Sequence, residues 1–414
     1  MADSSLPGSS LSDASHHTPP ALRGRPSDGR RGLVARIEAG TPPERDRALD
    51  ALRALAILGV IAGHWLVTAV VTDSGSLRVT SPLKALPQLA PVSWALQMLA
   101  IFFLVGGLVA AKGYTSARAA GIGYGPWLRG RLGRLFRPAA VVLAVWAAAA
   151  VAMLASGVSL EEVRVLVRMA VAPMWFLLVF AALTAATPLV ARLHPVWPFA
   201  AVVVADVLRF GPGGPAWLWW VNVAAGWLVP YCLGAAWARG ELRSRATGWT
   251  LLAGGGAGAV ALVVWGGYPA TMVGVPGAPV SNLAPPSLAA VAYGLAQCGA
   301  ALLLLGPLRR LLRRPAVWAA VAVANLAAMT IFLWHQTALI VVTELGLLAS
   351  RVLPGPPGGT QLPGPPGGTQ LPGLHTVPDG FGWLAARLAW LPAFAVALLV
   401  CCAAFHAYER RGAR

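Results

Sequence analysis

The chain has 414 residues, of which 57% are hydrophobic and 11% are charged. A soluble domain carries about one quarter charged residues, so this composition excludes a soluble globular protein and predicts an all-α, polytopic integral membrane bundle. The net charge of +17 does not indicate a nucleic-acid partner, because no basic stretch is interleaved with aromatic residues. We expect the charge to orient the chain in the lipid bilayer.

The first 45 residues are rich in Ser, Pro, Gly and Arg and have no apolar segment. Their low hydrophobicity predicts a disordered cytoplasmic tail, not a cleaved signal peptide. Residues 46–410 are predicted to form the membrane domain. A helix needs about 20 apolar residues to cross the hydrocarbon core, and ten windows qualify: 51–71, 92–111, 138–156, 172–190, 196–210, 217–238, 249–267, 287–306, 317–349 and 383–406.

Basic residues alternate across this map. With the N-terminus inside, the cytoplasmic segments hold 24 Lys and Arg and the outer segments hold 7. The positive-inside rule therefore predicts that both termini are cytoplasmic. We expect the protein to lie in the plasma membrane.

The first window begins with "LDALRALAILGVIAGHW" and carries Arg53 and His64. Eleven residues make about three helical turns, so the two side chains share one face and differ by about 16 Å in depth. Asp50 precedes Arg53 by three residues and is predicted to pair with it at the cytoplasmic boundary. A simpler interpretation is that Arg53 snorkels to the interface and Asp50 is a helix N-terminal charge. His64 lies well inside the window, where an imidazole must face protein or water, and it is suited to proton transfer near neutral pH.

Four arginines precede the third window, in the stretch "RGRLGRLFRP": Arg129, Arg131, Arg134 and Arg137. They serve either to orient the chain or to bind phosphate groups, for which planar guanidinium groups are well suited. Arg131 and Arg134 are three residues apart and are predicted to share a helix face.

Three later features also have two interpretations. Trp175 is either a packing or interface aromatic residue or a platform for substrate. His335, next to Gln336, either faces a central cavity or makes a structural hydrogen bond. Asp206 precedes Arg209 by three residues and is expected to pair with it.

A nine-residue unit occurs twice within "LPGPPGGTQLPGPPGGTQLPG", residues 353–373. Its Pro and Gly content disfavours both helix and sheet. The repeat predicts an outer linker of variable length between the ninth and tenth windows.

Several motifs occur in the order that is typical of one family. In the stretch "RALDALRALAILGVIAGH", ten residues separate the second arginine, Arg53, from His64. This pattern resembles the signature of the membrane-bound acyltransferase 3 family. Later stretches resemble further family segments: "FFLVGGLVAAKGY", "RGRLGRLFRP", "MWFLLVFAALTAATPLV" and "TIFLWHQTALI". The chain differs where the family usually has Gly after the arginine, here Ala54, and Ser before Gly, here Gly106 and Gly107. These differences affect the expected substrate preference more than the chemistry.

The resemblance implies transfer of an acyl group, commonly acetyl, from acyl-CoA to a hydroxyl group of a carbohydrate, lipid-linked or small-molecule acceptor. It implies acyl-CoA as co-substrate, with no tightly bound cofactor and no metal. His64 and Arg53 would be catalytic: the histidine as general base or as acyl carrier, the arginine as a donor to a phosphate, carbonyl or oxyanion. Substrate or acyl-CoA binding is assigned to Asp50, Arg131, Arg134, Trp175 and His335.

Two other classes remain open at this stage. A multi-pass transporter or exporter also places ionisable residues inside its helices, although the matched broken helices of many transporters are not visible here. A non-catalytic membrane scaffold would leave His64 without a role.

Overall fold

The protein is a helical bundle with one short β-hairpin, described by a computed structural model over residues 26–73, 76–210, 215, 217–278, 280–352 and 371–410. The strands β1 (Ala69–Asp73) and β2 (Ser76–Thr80) pair antiparallel, with Ala69 opposite Thr80. The helices are α1 (Pro26–Ala39), α2 (Arg47–Val67), α3 (Ala90–Leu96), α4 (Leu99–Ala119), α5 (Tyr124–Ala155), α6 (Leu160–Val171), α7 (Trp175–Ala185), α8 (Thr187–Val190), α9 (Val196–Phe210), α10 (Leu218–Ala238), α11 (Arg245–Val264), α12 (Leu288–Leu311), α13 (Pro315–Leu326), α14 (Ala328–Val352) and α15 (Phe381–Arg410).

Within the described residues, nine helical stretches are long and apolar enough to cross a membrane. The predicted all-α polytopic bundle is therefore confirmed. These stretches are Arg47–Val67, Pro87–Ala119, Tyr124–Ala155, Leu160–Ala185, Trp220–Ala238, Arg245–Val264, Leu288–Leu311, Ala328–Ala349 and Phe381–His406.

The helices differ from the predicted windows at three places. Window 196–210 becomes α9, whose 15 residues span only about 22 Å. Window 172–190 lies on a helical stretch that already begins at Leu160, because Ser159 forms a capping box with Glu162 there. The long ninth window divides at Ala327 into α13 and α14.

Part of the predicted tail is helical. Helix α1 occupies residues 26–39, and Glu38 at its end pairs with Arg47 Nη2 at 2.8 Å. Thr41 Oγ1 accepts a hydrogen bond from Trp318 Nε1 at 2.8 Å. These contacts attach the segment before α2 to α13. Residues 1–25 of the tail and residues 353–370 of the linker lie outside the described residues.

Helix α2 lies beside α13 and α14 and runs in the same direction as this pair. Near the start of α2, Asn325 Nδ2 donates to the Asp50 carbonyl at 2.8 Å. Near its end, Trp65 Nε1 donates to the His335 carbonyl at 2.9 Å. Asn325 belongs to α13 and His335 to α14, so residue number rises along α2 and along the α13–α14 segment between these two contacts. Helix α2 is therefore held to α13 near its start and to α14 near its end.

Helices α4 and α10 approach each other closely at two glycines. A Cβ atom at Gly107 would lie 2.1 Å from the Tyr231 carbonyl oxygen, and one at Gly234 would lie 2.1 Å from the Leu104 carbonyl oxygen. No larger residue fits at either position unless the helices separate. The close approach forms part of the main hydrophobic core, where Phe103 belongs to a large aromatic cluster.

Candidate active site

A cavity of about 370 Å³ opens among α2, α4, α5, α7 and the junction of α13 and α14. Arg53, Arg131 and Arg134 contribute three guanidinium groups to its wall. Its remaining wall is largely apolar and includes Phe102, Phe180 and Met329, with Asn325 and Thr184 as polar members. The structure thus brings together three of the arginines that the sequence singled out. It offers a positively charged, partly apolar space.

Gly113 allows Arg131 to lie against α4. A Cβ atom at position 113 would lie 2.1 Å from Arg131 Nη2, so only glycine leaves this space free. Arg131 Nη2 donates to the Val109 carbonyl at 3.2 Å, and its guanidinium lies 5.9 Å from the centre of the Trp127 ring. These contacts hold the Arg131 side chain at the cavity wall.

Two imidazoles lie together further along α2 and α14. The rings of His64 and His335 have centroids 5.0 Å apart and are tilted by 44°. Gln336 Nε2 lies 3.2 Å from His64 Nδ1. The sequence predicted that His64 and His335 both lie inside the membrane domain, and the structure brings them into one cluster.

The partners of each ring restrict where its proton lies. His335 Nδ1 lies 2.5 Å from the Phe332 carbonyl, which only accepts, so Nδ1 carries the proton and Nε2 keeps its lone pair. His335 is fully buried, and its Nε2 has no hydrogen-bond partner among the described residues. As placed, the Gln336 amide donates to His64 Nδ1, while its buried Oε1 is unpaired. Rotating the amide by 180° would let Oε1 accept from Nδ1–H, and His64 Nε2 would then be free to act as a base.

Aromatic side chains lie between the arginine-lined cavity and the imidazoles. Phe102 lines the cavity and contacts Phe176, with ring centroids 4.8 Å apart. Phe176 contacts Phe332 at 5.3 Å, and Phe332 contacts His335 at 5.8 Å. Among the described residues, the cavity lining includes Arg53 but not His64. The aromatic wall therefore separates the two groups of polar side chains.

The other predicted site residues lie outside this arrangement. Asp50 accepts hydrogen bonds from Arg45 Nε at 2.6 Å and Nη2 at 3.2 Å, and this bond raises the pKa of Arg45. Trp175 is 38% exposed, and its ring lies 6.2 Å from that of Trp227. Neither Asp50 nor Trp175 lines the cavity as far as it is described. Their assignment to substrate binding remains a prediction.

Arg387 enters the sequence analysis only as one of the seven basic residues counted in the outer segments, with no role at the site. It is fully buried, and its guanidinium donates to the carbonyls of Trp65 at 2.7 Å, Thr68 at 2.7 Å and Gly373 at 2.9 Å. Trp65 follows His64 directly, so Arg387 holds the end of α2 next to the imidazoles. An arginine placed seven residues inside an apolar helix was the available signal.

Comparison with known proteins agrees with these features. A family model described as "Acyltransferase domain" matches residues 46–406. The chain belongs to this family. The motif resemblance seen in the sequence is thereby confirmed, and the protein is a membrane acyltransferase. Comparisons of this acyltransferase with curated proteins and with solved structures gave no match.

Proposed function

We propose that this acyltransferase moves an acyl group, most simply acetyl, from acyl-CoA to a hydroxyl group of a carbohydrate, glycolipid or secondary-metabolite acceptor. One observation carries the proposal. A cavity lined by three arginines lies beside the start of α2, and two neighbouring imidazoles lie further along the same helix. The arginine-lined cavity suits a phosphate-bearing donor, and the two imidazoles suit proton transfer from an acceptor hydroxyl.

The arginine-lined cavity is the proposed donor site. CoA carries phosphate groups, which Arg131 and Arg134 would bind through charge-assisted hydrogen bonds. Arg53 shares this cavity and lies about 16 Å from His64 along α2, since eleven residues rise 1.5 Å each. The extended pantetheine arm of CoA would bridge that distance and carry the thioester towards the imidazoles.

The reaction needs one base, and His64 takes this role in the proposal. His64 Nε2 takes the proton from the acceptor hydroxyl while the hydroxyl oxygen attacks the thioester carbonyl carbon. The C–S bond then breaks, and the CoA thiolate takes the proton from the imidazolium. His335, with its lone pair on Nε2, would accept a hydrogen bond from the acceptor hydroxyl, or from His64 Nε2–H after His64 has taken the proton. An acyl-histidine on His64 is the alternative route to the same products.

We also propose the orientation of the protein. The end of the bundle that carries Asp46, Arg131 and Arg309 is rich in arginine, so the positive-inside rule places it in the cytoplasm, where acyl-CoA is found. In this orientation both termini are cytoplasmic, α9 crosses the plasma membrane, and the linker at 353–373 is outside.

The test uses purified full-length protein with labelled acetyl-CoA and measures both CoA release and the labelled acceptor. His64→Ala should lower the rate by at least about 10²-fold, the usual lower contribution of general-base catalysis. His406→Ala is the matched control, because His406 lies near the end of α15, where its Nδ1 bonds the Cys402 carbonyl at 3.0 Å, and it is not among the described residues that line the proposed donor site. A near-normal rate in His64→Ala would contradict the catalytic assignment.

Donor binding is tested with two arginines on one helix. Arg134 lines the cavity and Arg137 does not, and both are exposed on α5. Arg134→Ala should raise KM for acyl-CoA several-fold, while Arg137→Ala should leave it unchanged. Equal effects would show that only the charge near the membrane surface matters, and they would contradict the assignment of this cavity to the donor.

A further inference from the structure

A second basic cavity lies apart from the proposed donor site. It has a volume of about 450 Å³ and lies between the start of α11 and the end of α12. Its wall includes four arginines: Arg243, Arg245, Arg309 and Arg310. No histidine of the candidate active site lines it. We propose that this cavity binds the phosphate headgroup of an anionic phospholipid.

Neighbouring carboxylates balance the charge in this cavity only in part. Among the described lining residues there is no Asp or Glu. Asp46 is the partner of Arg309, with Nη2 to Oδ2 at 2.6 Å. Glu241, the acidic residue just before the cavity segment, already pairs with Arg239 at 2.5 Å, which lowers the pKa of Glu241. Asp46 thus neutralises Arg309, and Glu241 is engaged by Arg239 outside the cavity. The guanidinium groups of Arg243, Arg245 and Arg310 remain as excess positive charge in the described lining.

The backbone adds to the positive potential. Helix α11 begins at the cavity, and Ser244 caps it by accepting from Ala246 N at 3.1 Å. The N-terminal end of a helix carries a partial positive charge. Gly306 on α12 meets no neighbouring atom within 4 Å of an added Cβ, so the wall is open at this point. The cavity thus combines arginine side chains, a helix N-terminus and free space.

The apolar part of the cavity lining indicates a lipid as the source of the phosphate. Leu302, Leu303 and Leu305 of α12 line the cavity beside the arginines. Trp249 lies one turn after Arg245 on α11 and is 56% exposed. Tryptophan is enriched where a membrane helix meets the headgroup region, and leucine side chains suit acyl chains. A headgroup phosphate in the cavity would leave its acyl chains beside these apolar side chains, as in other basic pockets between membrane helices.

Orientation of the chain by positive charge does not require such a cavity. The arginines that follow α12, Arg313 and Arg314, are exposed and do not line it, yet they contribute the same charge to this end of the bundle. They and the exposed Arg118 provide a control set with an equal change in charge.

The experiment measures phospholipid bound to the full-length protein by native mass spectrometry after purification in neutral detergent. The probes are phosphatidylglycerol and phosphatidylcholine, added separately. Wild-type protein should retain at least tenfold more phosphatidylglycerol than phosphatidylcholine. The triple variant with Arg243→Gln, Arg245→Gln and Arg310→Gln should lose that preference, since each basic residue near an anionic surface contributes substantially to binding.

The control triple variant, Arg118→Gln, Arg313→Gln and Arg314→Gln, should keep the preference. An equal loss in both triple variants would overturn the proposal in favour of general surface charge. Wild-type protein without a preference for phosphatidylglycerol would also overturn it. Inorganic phosphate at millimolar concentration should not displace the lipid; full displacement would assign the cavity to a free phosphate compound instead. None of these readouts requires acyl transfer.

Discussion

Replacing Arg387 tests how the buried end of α2 is stabilised. The guanidinium makes three hydrogen bonds to backbone carbonyls, at 2.7, 2.7 and 2.9 Å. It also lies 4.7 Å from the centre of the Phe394 ring. Hydrogen bonds to a charged group contribute about 1.5–3 kcal/mol each, so three bonds contribute about 4.5–9 kcal/mol before the cost of burying the charge. That cost is several kcal/mol.

Arg387→Met removes the charge together with its bonds and leaves three carbonyls without a donor. We expect the free energy of unfolding to fall by about 3–5 kcal/mol, the range seen when one partner of a buried charged interaction is removed. In Arg387→Lys the free energy of unfolding should fall at least as far. The charge stays buried, while a single ammonium group cannot replace the planar set of guanidinium donors.

The assay is reversible unfolding of the purified protein by SDS titration in mixed micelles. Arg164→Met is the control, because Arg164 is exposed on α6 and its replacement should change the free energy by less than about 0.5 kcal/mol. A loss below about 1 kcal/mol in Arg387→Met, or near wild-type stability in Arg387→Lys, would refute the reasoning. The first result would mean that water replaces the guanidinium at these carbonyls.

Three further predictions concern the donor site, the linker and the topology. Gly113→Ala should displace the Arg131 guanidinium and raise KM for acyl-CoA several-fold with little change in kcat, whereas Gly130→Ala, in open space, should not; equal KM values would contradict the contact. Deleting residues 354–362, one repeat unit, should leave expression and activity near normal, and a collapse of either would show that the linker packs on the protein. Reporter fusions at residue 40 and at the C-terminus should both report the cytoplasm, and an outside C-terminus would mean that α9 does not cross the membrane.

The sequence predicted the helices and the shared location of two arginines, because both depend on local periodicity. Apolar length located the membrane helices, and the three-residue spacing of Arg131 and Arg134 placed both at one cavity. Helical spacing gives the face of a helix, but it does not identify the neighbouring helix. The contact between His64 and His335 joins residues 271 positions apart in the chain, and only the folded bundle brings them together.

Asp206 shows the limit of local spacing. Its separation from Arg209 suggested a pair within α9. The buried carboxylate accepts hydrogen bonds from three partners outside α9: Asn222 Nδ2 at 2.6 Å, Tyr268 OH at 2.9 Å and the Leu288 backbone N–H at 2.6 Å. It therefore joins α9 to α10, to the loop before α12 and to the first turn of α12. A long-range cap of this kind leaves no periodic signal in the sequence.

On the proposed function, access of the thioester to His64 depends on side chains more than on helix movement. Helix α2 is held to α13 by Asn325 near its start and to α14 by Trp65 near its end. Separating them would break both hydrogen bonds inside the membrane, where lost bonds are costly. Met329, by contrast, lines the cavity with a flexible side chain, and the Phe332 ring follows it one turn deeper on the same helix. Rotation of these two side chains would open a path along α14 while the helix pair keeps the depth between Arg53 and His64 constant.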